Sequence, residues 1–286
     1  MTGTVDEAYQ VCESITRDQA RNFFYGIRLL RPAKRNALCA LYALSRRIDD
    51  IGDGDLPIDE KVVQLAAVRA SLRDIATTTD PVLYAVDDAA RHFPIPMGAF
   101  TELVDGVEMD VSGRRYETFD ELVTYCRCVA GSVGRLCLGV FGSKPDPNAS
   151  QYADELGIAL QQTNILRDIR EDLMNGRTYL PQSDLDRFGV TLELNEAGAL
   201  ADKEGNLAAL IEDAAVRART WYDRGLKLMP LLDRRSAACT GAMSGIYRRL
   251  LKRIAADPTA VYDRRLSLSG REKAGVAVRA LVGAEI

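Results

Sequence analysis

The sequence predicts an all-α protein, a bundle of helices around a central cavity, in one domain over residues 1–286. Three observations predict it. Apolar residues recur at three- and four-residue spacing along most of the chain. Strand-like alternation bounded by hairpin turns is hard to find. No internal repeat, low-complexity tract or linker marks a domain boundary.

Residues 17–30 and 33–52 read as two amphipathic helices, with Pro32 placed to break or start a helix between them. Gly52-Asp53-Gly54-Asp55-Leu56-Pro57 stops the second. Further helices read at 59–77, 81–92, 96–111, 118–141 and 149–173, then at 205–230, 235–256 and 270–283. The stretch from Asn175 to Asn206 is the least regular and is expected to hold loops and a short helix. Gly131 and Gly134 fall inside a helix, where each costs about 1 kcal/mol against alanine. Close helix packing is the expected reason, ahead of room for a ligand.

Composition removes several function classes. With 286 residues, 47% of them apolar, the chain can bury a large core. A net charge of −4 gives no electrostatic reason to expect nucleic acid. MTGTVDEAYQ lacks the basic and apolar regions of a signal peptide. The longest apolar run, Ala37 to Leu44, falls far short of the roughly 20 residues that span a bilayer. A cytoplasmic protein is the expectation. The six cysteines include no C-x-x-C and read as small core hydrophobes in a reducing compartment. The single histidine, His92, sits at a helix end, which leaves little for a serine triad or a His-rich zinc site.

Two carboxylate pairs carry most of the functional information. Asp49 and Asp53, and Asp168 and Asp172, are each spaced i, i+4 and share a helical face. Like charges so placed cost a few tenths of a kcal/mol per pair in an isolated helix. Hard divalent cations bridging to phosphate oxygens would repay that cost. Apolar runs precede both pairs, Ala37 to Leu44 and Leu156 to Leu160, so a pocket between them would be polar at its mouth and greasy below. That suits an amphiphile with an anionic head and a hydrocarbon tail. Arg46, Arg47, Arg167 and Arg177 flank the pairs, and arginine matches phosphate bidentately. The plain alternative is that these arginines neutralise the aspartates in solvated i, i+3 and i, i+4 pairs.

At this point the residues resemble the squalene/phytoene synthases, the trans-type head-to-head prenyl synthases, over nearly the whole chain. The resemblance rests on Leu156-Gly157-x-x-x-Gln161-x-x-Asn164-Ile165-x-Arg167-Asp168-Ile169-x-x-Asp172, followed by Arg177-x-Tyr179-x-Pro181. It rests also on Tyr125-Cys126-x-x-Val129-Ala130-Gly131-Ser132-Val133-Gly134 and on Tyr42-x-x-x-Arg46-x-x-Asp49-x-x-x-Asp53. All three occur in the family's order, and actinobacterial members are the nearest in kind.

The resemblance implies an isoprenoid-synthase-type bundle in which two or three Mg2+ ions, with Mn2+ as a substitute, hold two prenyl diphosphates. Metal would sit on Asp49, Asp53, Asn164, Asp168 and Asp172. Arg21 and Asn22 match the early diphosphate-contacting segment, although Asn22 departs from the usual serine. Arg46, Gln161, Arg167 and Arg177 would contact substrate. Tyr42, Tyr125, Tyr179 and Tyr247 fall where the family places tyrosines near the site, Tyr42 and Tyr179 with catalytic parts; each also fits a core aromatic. Ile27, Leu38, Val129 and Leu160 would line or back the hydrocarbon pocket. The segment 173–181, hinged at Asn175-Gly176, is expected to close over the site.

The expected reaction is head-to-head condensation, in which departing diphosphate leaves an allylic cation and proton loss closes a cyclopropane. Two C15 units would give presqualene diphosphate or squalene for hopanoids and related triterpenoids, and the reading leans there. Two C20 units would give phytoene for carotenoids. A reductive step with NADPH has no support, since no G-x-G-x-x-G follows a strand. The lipid products allow peripheral membrane contact. A terpene cyclase would use one diphosphate, and its second cluster usually carries Asn, Ser and Glu; a non-catalytic partner subunit would not need four intact aspartates.

Overall fold

The computed structural model describes residues 4–20 and 23–283. Its α-helices are α1 (Val5–Gln19), α2 (Phe24–Ile27), α3 (Pro32–Asp53), α4 (Ile58–Arg73), α5 (Pro81–His92), α6 (Gly98–Val111) and α7 (Phe119–Cys126). They continue as α8 (Ser132–Phe141), α9 (Ala149–Met174), α10 (Gln182–Phe188), α11 (Asn206–Gly225), α12 (Arg234–Ala256) and α13 (Gly270–Val282). A π-helical turn, Arg127–Gly131, joins α7 to α8. Among the described residues extended pairing is limited to a single bridge between Leu194 and Leu200. The all-α expectation holds.

Local chemistry explains most of the ends. Pro32 occupies the first turn of α3, where its missing N–H costs nothing. Asp80 and Asp233 accept backbone N–H groups at the starts of α5 and α12. Thr4 with Glu7, and Ser269 with Glu272, form reciprocal caps on α1 and α13. Gly176, at φ +73, lets the chain turn away from α9 just past its second aspartate.

Several expectations need correction. Residues 17–30 are not one helix: α1 ends at Gln19 and only the four-residue α2 forms beyond it. α1 itself, from Val5, lies mostly outside the expected elements. Its buried face is Ala8, Cys12 and Thr16, small or polar side chains in a segment of low overall hydrophobicity. The expected helices at 118–141 and 205–230 are also interrupted, by the π turn and by a 3-10 segment, Leu226–Leu231, that contains Pro230.

Buried apolar residues form two main cores. One gathers α1, α3, α5, α6 and α8; the other gathers α7, α9, α11 and α12. Phe23 and Val129 pack against both, so the seam between the cores passes through them. α9, 26 residues and about 39 Å long, walls that seam. Its contact with the π turn and α8 is backbone on backbone. A Cβ at Gly157 would stand 2.2 Å from the Ala130 carbonyl oxygen, and one at Gly134 2.3 Å from that of Ala153. Packing therefore accounts for the glycines, Gly134 among them.

Candidate active site

The C-terminal ends of α3 and α9 meet. Arg177, just past α9, donates from Nη1 to Asp53 Oδ1 at 2.8 Å and from Nη2 to the Gly52 carbonyl at 3.0 Å. The segment after the second aspartate pair is thereby latched onto the first pair. α6 supplies a third carboxylate between them, Asp110, which accepts from Tyr179 Oη at 2.7 Å and Tyr125 Oη at 3.0 Å. Tyr116, Tyr125 and Tyr179 pack as an aromatic cluster, with centroids 5.1–6.3 Å apart.

The carboxylates sit in unlike fields. Asp49 retains some accessible surface, yet burial pushes its pKa up to about 7, with the charges of Asp53 and Asp110 adding to the rise. Both facts hold together for a group deep in the protein that faces an internal cavity. Asp172 is raised to about 7 by burial, with Asp168 and Asp110 adding. Asp110 is raised by burial against the hydrogen bonds from its two tyrosines. Burial alone would raise Asp168 as well, but Arg167 and Arg265 outweigh it and hold Asp168 below the ordinary value. Arg167 Nε and Arg265 Nε each lie 2.7 Å from Asp168 Oδ1.

The other expected residues fall as follows. Tyr42 lies near Arg46, Asp49 and Tyr247, and burial raises its hydroxyl to about 12. Tyr247 is buried, stacks on Phe23 at 5.8 Å and shares a hydrogen bond with Arg167. Gln161 accepts from Asn164 Nδ2 at 3.3 Å, and Asn164 Oδ1 is buried without a partner. Arg46 pairs with Asp50 at 2.5 Å, the i, i+4 geometry of the charge-neutralising alternative, whereas Arg47 reaches across to Asp80 at the start of α5 at 3.0 Å. Arg21 and Asn22 lie outside the described residues. Sequence reasoning missed Asp110, Arg265 and Tyr116. No repeated spacing marks Asp110, and Arg265 lies 97 residues from its partner.

Apolar side chains flank the seam between the two cores. Val129 and Leu160 are partly accessible, whereas Ile27 and Leu38 are 4% and 3% exposed and back the wall rather than line it. Cys137, two turns below Val129, keeps accessible surface although burial alone lifts its thiol to about 12. Burial, with Cys137 adding to it, raises the thiol of Cys239, whose carbonyl and thiol crowd Gly26. Carboxylates thus gather at the helix ends, whereas thiol and thioether side chains (Cys239 and Met243) pack around Gly26.

The site suits divalent cations. Among the described residues no three carboxylate, His or Cys side chains form a ready metal cage. Mg2+ takes one or two carboxylates and fills its remaining positions with water and phosphate oxygens, so a sparse acidic set fits it. Among the described residues Asp49 and Asp172, both raised, form no ion pair and Asn164 Oδ1 has no partner, and these are oxygen donors of that kind.

Paired acidic helix ends above an apolar shaft, in an all-α bundle, define a class: enzymes that handle prenyl diphosphates. The squalene/phytoene synthase family profile matches residues 16–272. The phytoene synthase of Mycobacterium tuberculosis is 57% identical over 277 residues, 97% of this chain and 91% of that one. Phytoene synthase 2, chloroplastic, of Solanum lycopersicum is 34% identical over 95% of this chain and 89% of its own. A crystal structure of a dehydrosqualene synthase superposes with a TM-score of 0.87 at 28% identity, covering 98% and 97% of the two chains. The chain belongs to the squalene/phytoene synthase family. It is a prenyltransferase that condenses prenyl diphosphates head to head, and its family uses divalent metal to bind diphosphate.

Proposed function

We propose that this chain joins two C20 prenyl diphosphates into phytoene, the second of the two branches weighed above. The observation that carries this is the 57% identity, nearly end to end, with the mycobacterial phytoene synthase. The C15 reading keeps one specific support, the likeness in shape to a dehydrosqualene synthase.

Asp49, Asp53, Asn164, Asp168 and Asp172 would hold Mg2+, or Mn2+ in its place. When bound, the ions neutralise diphosphate and stabilise the charge that develops as it departs. Arg177 and Arg265 stand at the two aspartate ends with guanidinium groups suited to phosphate oxygens. The apolar shaft below keeps water from the allylic cation. The cation is attacked by the C2–C3 double bond of the second substrate, and loss of a proton closes a cyclopropane that still carries the second diphosphate; departure of that diphosphate, ring opening and loss of a further proton then give phytoene.

Tyr179 and Tyr125 offer the first of these protons a route. A proton accepted at Tyr179 Oη is passed on along the 2.7 Å hydrogen bond to Asp110, which burial already inclines towards the protonated form. The departed diphosphate is the competing acceptor.

Product analysis with farnesyl and geranylgeranyl diphosphate, each with Mg2+ and with or without NADPH, tests the reading. A C40 hydrocarbon from the C20 substrate is the expected result. Turnover of the C15 substrate alone would overturn the branch while leaving the family reaction intact. Cys137→Phe, which fills the deep end of the shaft, should lower C20 use relative to C15 by roughly tenfold. An unchanged ratio would remove Cys137 from the chain-length determinants.

A further inference from the structure

The last two helices are charged unlike the rest of the chain. Residues 234–283 carry eleven Lys and Arg against three Asp and Glu, a net +8 in a chain of net −4, which leaves −12 for everything else. α13 closes this basic end. Val276, Ala277 and Ala280 turn inward and are buried. Arg271, Gly275, Val278 and Val282 recur at i, i+4, i+7 and i+11 and form the opposite, solvent-facing row. Val278 is 61% and Val282 67% exposed, with Leu281 beside them at 39%. Apolar residues flanked by arginines on the outer face are the reverse of what a solvated helix carries.

A pocket of about 370 Å³ opens where α13 begins, lined by Arg17, Phe24, Tyr25, Arg28, Gly270 and Lys273. Three cations thus surround a partly aromatic concavity, beside an outward row of aliphatic side chains.

We propose that this face docks on an anionic lipid bilayer. Val278, Leu281 and Val282 enter the boundary between headgroups and acyl chains, as the apolar side of an interfacial helix does. Arg17, Arg28 and Lys273 take a lipid phosphate into the pocket, and the net positive charge of residues 234–283 draws the protein to the surface. The choice of a membrane over an acidic protein rests on the prenyl condensation read above, whose hydrocarbon product needs an apolar phase to enter.

Co-sedimentation of the full chain with vesicles tests this without reference to catalysis. Vesicles of equal parts phosphatidylglycerol and phosphatidylcholine should bind at least about tenfold more tightly than phosphatidylcholine alone, and added salt should weaken that binding. Val278→Asp with Val282→Asp, both at exposed positions, should lower binding at least about tenfold. Arg28→Glu with Lys273→Glu should do the same. Turnover of detergent-dispersed substrate should be unchanged in both variants. Equal binding to the two vesicle types, or full binding by the valine variant, would overturn the proposal. So would a dimer in solution that the valine variant dissociates, since a second copy would then cover the face. Vesicle binding by a chain that condenses no prenyl diphosphate would defeat the proposed reaction and leave the docking surface standing.

Discussion

At the end of α9, Asp168 is held by two guanidinium groups, Arg167 from its own helix and Arg265 from the loop before α13. At the end of α3, Asp49 has no such pair among the described residues, and Arg46 one turn back is drawn to Asp50 on the outer face. One spacing, D-x-x-x-D, therefore produces a carboxylate below its ordinary pKa in one place and another raised to about 7 in the other. The motif sets which face of the helix is acidic. The surrounding chain, some of it distant in sequence, sets the charge state.

The largest expected effect treats the two ends alike. Asp→Asn at Asp49, Asp53, Asp168 or Asp172 should lower turnover at least about 10²-fold, comparable to losing one electrostatic stabiliser. Steady-state rates with saturating Mg2+ would show it. Near-normal turnover in an α3 variant, against a dead α9 variant, would confine the chemistry to the second end.

Stability should separate the ends. Asp49 and Asp172 bind a proton more tightly folded than unfolded, so in chelator their contribution to stability falls as pH rises from about 4 to about 7. Asp168 has the opposite sign: its contribution is present above the ordinary 3.8 and is lost as pH falls below it. Melting curves at pH 8 should find Asp49→Asn more stable than the parent by about 1 kcal/mol or more, an advantage that shrinks by pH 5. Asp168→Asn should be less stable by about 2 kcal/mol, since it leaves two guanidinium groups poorly matched. Shifts of the same sign would mean that the arginines do not distinguish the two ends.

The smallest effect concerns the link between them. Arg177→Ala removes the contacts to Asp53 and Gly52 and should raise amide exchange across residues 173–181, by about 1 kcal/mol in local opening. Exchange equal to the parent's would show that Tyr179 on Asp110 suffices to hold the segment.

Much of this was legible in the sequence. The acidic pairs, the helix break at Pro32 and the end of α9 at Asn175-Gly176 all depend on neighbours within one or two turns, and local patterns report those. Asp110 was not legible, because Asp105, Glu108 and Asp110 read alike until α6 is folded against Tyr125 and Tyr179. Arg265 was hidden for the same reason, its partner being on another element. α1 escaped because a face of alanine, cysteine and threonine buries well and yet scarcely registers as hydrophobic. Arg46 misled in the other direction: its position beside the motif was read correctly, but its side chain turns to the solvated aspartate.

The backbone contact at Gly157 has one more consequence. Asp168 lies eleven residues further along the same straight helix, about 16 Å away. Gly157 is then a fulcrum and Asp168 the tip of the lever. A methyl group wedged against the Ala130 carbonyl that tilted α9 by about five degrees would carry Asp168 roughly 1.4 Å sideways. A displacement of about 1 Å in a positioned group is worth about 10²-fold in rate. Substitutions at this buried contact point can silence the enzyme from three turns away, with every catalytic residue unchanged in identity and the bundle still folded.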